Sequence, residues 1–178
     1  MRILSLLLLF TFMLQDSSPL IYDFTKNQHN NHWFVVNDGV MGGLSKGKIE
    51  VNSQGNGVFS GYVTTENNGG FSSVRYELDK KEVSSFTRVV LKLKGDGKQY
   101  QFRLKSNGSQ RYSYVVNFET SGEWETKELP FEDFIPMFRG NTLEKPNYPG
   151  KILSEVAFLI GNNRNEAFSL EIEKIYLE

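Results

Sequence analysis

Two imidazoles, His29 and His32 in the segment NQHNNHW, are spaced so that both could reach one metal ion from a helix. The asparagines around them are loop formers, and without a third ligand nearby the segment reads as a surface loop. A serine nucleophile activated by histidine would have to use one of these two side chains. The segment KGDGKQY spaces its glycines like a phosphate-binding loop, yet no helix follows to supply the anion site, so a hairpin turn is expected there. Asp23 and Asp38 could contribute oxygens to calcium, but acidic residues are not clustered around them. The chain has no cysteine, which removes disulfides, thiolate zinc sites and cysteine nucleophiles together. No metal, no cofactor and no catalytic residue is therefore expected.

Two glycine-rich segments remain, NDGVMGGLS and ENNGGFSSVRY. Asn37 and Asp38 can hydrogen-bond a turn backbone, and Gly39 can supply a positive φ. Gly42 and Gly43 let the chain turn again or pass close to another backbone. Met41 would sit between two tight turns, plugging one end of the fold or projecting as an adaptable contact. In the second segment Asn67, Gly69 and Gly70 lead into a strand on which Phe71, Ser73 and Arg75 share one face by parity. A guanidinium beside an aromatic ring suits either a buried network or a recognition site. The candidate contacts are accordingly Asp38, Met41, Asn67, Phe71 and Arg75. Gly39, Gly42, Gly43, Gly69, Gly70, Gly95 and Gly97 are read as turn glycines.

The elements that must position these residues are strands. From Ile21 onward the hydrophobic period is two. Val89, Leu91 and Leu93 alternate with Val90, Lys92 and Lys94, and Tyr100, Phe102 and Leu104 alternate with Gln101, Arg103 and Lys105. Tyr112, Tyr114, Val116 and Phe118 repeat the pattern, as do Phe168, Leu170 and Ile172 against Ser169, Glu171 and Glu173. Further strands are expected at VFSGYVTT, FSSVRYEL, WETKELP and EVAFLIG. The connectors NSQGNG, ENNGG, SNGSQ and GNNRNE are turn formers. The best short helix is PFEDFIPMF, and residues 131–149 read as one long, partly irregular connection. Eight or nine short strands imply an all-β, two-sheet antiparallel sandwich, a jelly roll rather than an immunoglobulin topology.

The length of 178 residues fits one domain, spanning 21–178. A net charge of −1, from 20 basic and 21 acidic residues, leaves no polybasic field for nucleic acid. Residues 1–18 differ from the rest: Arg2 is followed by an apolar run from Ile3 to Leu14, too short to span a bilayer of about 30 Å. The run fits a secretory signal, so export to the periplasm or cell envelope is expected. Without export the chain would lie in the cytoplasm near the inner membrane, associating with it only through a partner or the uncleaved N-terminus.

The segments WFVVNDGVMGGLSKG, FSGYVTTENNGGFSSVRY, LKGDGKQYQFRLK and LPFEDFIPMFRG, in that order and ending in FSLEIEKIYLE, resemble the complex I intermediate-associated protein 30 family. The resemblance runs from about Ile21 to Glu178. It implies a galactose-binding-domain-like jelly roll and a non-enzymatic assembly factor that holds intermediates of respiratory complex I (NADH:ubiquinone oxidoreductase). The signature residues it carries over include Trp33, Asp38, Met41, Ser45, Gly61, Asn67, Phe71, Arg75, Asp96, Tyr100, Trp124 and Phe134. The short apolar start resembles a bacterial member more than one with an arginine-rich transit peptide. The competing reading is an exported carbohydrate-binding jelly roll, with the tyrosines of RYSYVV and YQF as its platform.

Overall fold

The computed structural model describes residues 19–27 and 32–178, so the expected export segment and His29 lie outside the described residues. Thirteen strands occur among the described residues. They are β1 (Leu20–Asp23), β2 (Trp33–Asn37), β3 (Lys46–Val51), β4 (Gly57–Val63), β5 (Ser72–Glu82), β6 (Arg88–Lys94) and β7 (Gln99–Lys105). β8 (Ser113–Glu119), β9 (Trp124–Pro130), β10 (Ile135–Phe138), β11 (Asn141–Thr142), β12 (Ile152–Ile160) and β13 (Glu166–Leu177) complete the set. One sheet runs β3-β4-β13-β6-β9, with β1 also paired to β13; the other runs β11-β10-β8-β7-β12-β5-β2. Every pairing is antiparallel.

The alternation read from the sequence sets which faces meet. Val89, Leu91 and Leu93 from one sheet and Tyr100, Phe102 and Leu104 from the other are buried between the layers. Phe158 lies near the middle, 5.0 Å from the Phe102 ring and 6.3 Å from that of Trp33. Along β13 the register shifts between Ile172 and Lys174, so the inward set continues as Ile175 and Leu177. A bulge of this kind re-aims the side chains by adding a residue to one strand.

Several expectations are corrected. Thirteen strands replace eight or nine, because β1, β2, β3, β10 and β11 are short or carry few alternating apolar residues. The KGDGK segment is not a hairpin turn: β6 and β7 belong to different sheets, and the segment carries the chain across. Its residues are held by the far side of the crossing. A Cβ on Gly95 would lie 2.3 Å from the Thr120 side chain, and Thr120 Oγ1 accepts the Gly97 and Lys98 N–H groups. Asp96 accepts the Tyr100 hydroxyl at 2.9 Å and the Ser169 N–H at 2.9 Å. PFEDFIPMF forms one 3-10 turn at Phe131–Asp133 and then enters β10.

The β3–β4 pairing depends on a close approach. Gly61 faces Gly47 in the register, and a Cβ on Gly61 would stand 2.0 Å from the Lys46 carbonyl oxygen. Gly61→Ala is expected to cost about 1–3 kcal/mol by forcing β3 away. The urea midpoint of the purified variant checks this, and an unchanged midpoint would show that β3 yields freely.

Candidate binding face

The residues of NDGVMGG occupy a 3-10 turn, Asp38–Met41, directly after β2. The positive φ expected at Gly39 falls instead on Gly42, at 88°, where the turn ends. Asn37 does not cap the turn; its Oδ1 accepts from Gly47 N–H at 3.2 Å and the Ser72 hydroxyl at 2.7 Å. Asp38 is 1% exposed and accepts from four donors: the Ser45 N–H and hydroxyl, the Gly70 N–H at 2.7 Å and the Phe71 N–H at 3.2 Å. One carboxylate thus fastens both glycine-rich segments together. Two glycines make room for it, since a Cβ would come within 2.3 Å of the Asp38 carboxyl from Gly43 and 2.7 Å from Gly69. Burial pushes the Asp38 carboxyl up, but the hydrogen bonds from Ser45, Gly70 and Phe71 outweigh it and hold the group below its usual range.

Ser45 stands in a Gly-x-Ser-x-Gly spacing, Gly43 to Gly47, that matches a nucleophile elbow on sequence alone. The structure gives it other work. Its hydroxyl donates to Asp38 and accepts the Thr64 N–H at 3.0 Å, and it leads into strand β3 rather than a helix. His32 packs edge-on against the Tyr76 ring. Among the described residues no group of three His, Cys, Asp or Glu side chains could hold a metal ion. The Asp23 carboxylate accepts from the Thr25 N–H and hydroxyl and pairs with Lys26.

The other sequence candidates sit beside this fastener. Asn67 is exposed at φ 53°, in the left-handed region, within the loop that precedes Gly69. Phe71 is half-buried and gives its N–H to Asp38. Met41 lies in the turn, and its side chain is outside the described ones. Arg75 is half-buried on β5, with Ser73 on the same face as the parity argument requires.

That face is the outer side of the seven-stranded sheet, and its register aligns residues from six strands. One row runs Phe34, Arg75, Ala157, Arg103, Val115 and Ile135. The row beside it runs Val36, Ser73, Leu159, Gln101 and Asn117. On the other side Glu77, Glu155 and Lys105 align, and Lys105 Nζ lies 2.8 Å from Glu155 Oε2. This face is sheltered for an outer face: Ala157, Leu159, Val115, Ser73 and Glu155 are all buried. Arg103 donates from Nε and Nη2 to Gln101 Oε1, at 3.0 and 2.6 Å. Burial and the charge of Arg75 push its guanidinium down to about 10.

The sequence reading did not single out Arg103 or Phe34. Arg103 appeared only as the charged half of an alternating strand, and its convergence with Arg75 needs the order β7-β12-β5. Most of the tyrosine platform is lost to the core: Tyr100 and Tyr114 are buried, Tyr100 donates its hydroxyl to Asp96, and Tyr112 is half-buried. Among the described residues the exposed large rings are Phe34, Tyr62 and Trp124. Phe34 lies on the seven-stranded sheet, whereas Tyr62 on β4 and Trp124 on β9 lie on the other, separated by β13 and β6. They form no common platform.

The fold is similar to the family 11 carbohydrate-binding module from Clostridium thermocellum in complex with a beta-1,3-1,4-mixed-linked tetrasaccharide. The TM-score is 0.64 at 19% identity, covering 90% of this chain and 94% of that one. It is similar also to the family 11 module of the cellulosomal cellulase Lic26A-Cel5E of the same organism, with TM-score 0.64, 19% identity and coverage of 90% and 93%. The agarase AgWH50C contains a like domain, with TM-score 0.58 and 9% identity over 89% of this chain and 24% of that one. These likenesses are of fold and establish the jelly-roll architecture. No curated protein matches the chain. The sequence model of complex I intermediate-associated protein 30 matches residues 22–172.

Proposed function

The chain belongs to the complex I intermediate-associated protein 30 family, and from that membership we propose that it is a non-enzymatic module that holds a protein partner, a subunit of respiratory complex I during assembly. The observation that carries this reading is the outer face of the seven-stranded sheet. It combines two arginines, an exposed phenylalanine and sheltered aliphatic side chains, the composition of interface cores. No helix among the described residues is long and apolar enough to cross a membrane, so contact with a membrane complex would come through such a face or through residues 1–18.

The second reading, an exported carbohydrate-binding module, draws on the likeness in fold to the family 11 carbohydrate-binding modules. Sugar sites on sandwiches use exposed rings with a few polar groups, and of the tyrosines that could serve, Tyr100 and Tyr114 are in the core and Tyr112 is half-buried against it. Crosslinking the tagged chain in its own cells, followed by mass spectrometry, separates the two. Enrichment of NADH dehydrogenase subunits is the expected outcome and argues for a position on the inner side of the membrane. Capture of envelope proteins alone, with a thermal shift on a panel of neutral glycans, would overturn the assembly reading and favour export.

A further inference from the structure

We propose that Arg75 and Arg103 form a receptor for one carboxylate on an acidic side chain of the protein partner, with Phe34 and Val36 taking apolar residues beside it. The proposal rests on the binding-module reading above. Its basis is that neither guanidinium has a carboxylate in ion-pair contact among the described residues. Arg75 has no hydrogen-bond or ion-pair partner among the described residues, and Arg103 is bonded only to the neutral amide oxygen of Gln101. Of the two carboxylates in the adjacent row, Glu155 is already paired with Lys105, and Glu77 is exposed and makes no ion pair with Arg75 among the described residues.

The two arginines flank Ala157 in the register, two strand spacings or roughly 10 Å apart at the backbone. Ala157 has no side chain that could fill the space between them. Burial and then the charge of Arg75 hold Arg103 below its ordinary range, and the nearby Glu155, which works the other way, does not offset them. A carboxylate between them would satisfy both, since the guanidinium fork matches its two oxygens. The surroundings select the carrier. Val36 and Ile135, both half-buried, offer aliphatic contact, and Phe34 is the single exposed ring on the face among the described residues. That suits apolar side chains on either side of a glutamate better than the stacked rings of an acidic sugar.

The test titrates the full chain with the capped tripeptide Leu-Glu-Leu, with Leu-Gln-Leu as the neutral control and digalacturonate as the acidic sugar, following the arginine Nε–H resonances by NMR. Leu-Glu-Leu is expected to shift both Arg75 and Arg103 saturably, with Leu-Gln-Leu at least tenfold weaker. Arg75→Gln should abolish the response. Absence of any shift at millimolar peptide would overturn the proposal, as would a response to digalacturonate alone. A second variant guards against a structural role: Arg75→Met removes the repulsion and should raise the Tm of the free chain by about 2 °C or more. A fall in Tm would show that Arg75 holds the sheet together, and would overturn the receptor. Intact peptide binding without capture of complex I subunits would sink the assembly reading alone; capture undiminished in Arg75→Gln would sink the receptor alone.

Discussion

Replacing Asp38 by alanine is expected to remove about 3–5 kcal/mol of stability, because four donors lose their acceptor inside the protein. The loss would appear as a fall in Tm of roughly 10 °C or more. It would be accompanied by faster hydrogen exchange at Gly70 and Phe71, whose N–H groups would lose their partner. The same carboxyl gives a pH dependence whose sign follows from its direction of shift. Held below its ordinary value in the folded chain, it binds fewer protons folded than unfolded. Its contribution is complete above the unfolded value of about 3.9 and drains away as pH falls through the lower folded value. Urea midpoints should therefore decline in acid below about pH 4, and Asp38→Asn should flatten that decline. An Asp38→Ala variant that melts with the wild type would show that the two glycine-rich segments hold themselves.

The second large effect belongs to Phe158. It is fully buried on β12, with four strands on one side and two on the other in its sheet, and its ring meets Phe102, Trp33 and Phe118 at centroid distances of 5.0, 6.3 and 6.5 Å. Phe158→Ala leaves a cavity among neighbours that belong to separate strands and cannot all close in. The expected cost is about 3–5 kcal/mol, measured by urea denaturation. Trp33 reports the change locally: in a Trp124→Phe background its emission should move to the red as water reaches the void. A cost below about 1 kcal/mol would mean that the rings repack around the gap.

Where period-two patterning was strong, the sequence predicted which side chains point inward, as at Val89, Leu91 and Leu93. It could not show the short strands. KGKIEV in β3 carries one buried residue, Ile49, and the rest of its stabilisation comes from pairing with β4. Nor could parity reveal that KGDGK changes sheets, because a hairpin and a crossover present the same local glycines. The candidate site shows the same limit. Asp38 was legible as a turn former, but two of its donors lie 32 and 33 residues away, so its role as a fastener is a property of the folded chain. Arg75 was named from one strand, yet the arginine that faces it comes from another, with a third strand between them. Register across non-consecutive strands is what composition and spacing leave unspecified.

The place of β13 carries a consequence for how the protein is made. It sits between β4 and β6, and its far end pairs with β1, Leu20 opposite Tyr176. On a ribosome, β1, β4 and β6 emerge long before the strand that joins them, so one layer of the sandwich has no central member until β13 has been made. The growing chain must keep its apolar strand faces from pairing elsewhere during that wait, at a synthesis rate of roughly 5–20 residues per second. A protein proposed to shelter the unfinished parts of a larger assembly is itself, until β13 appears, an unfinished part in need of shelter.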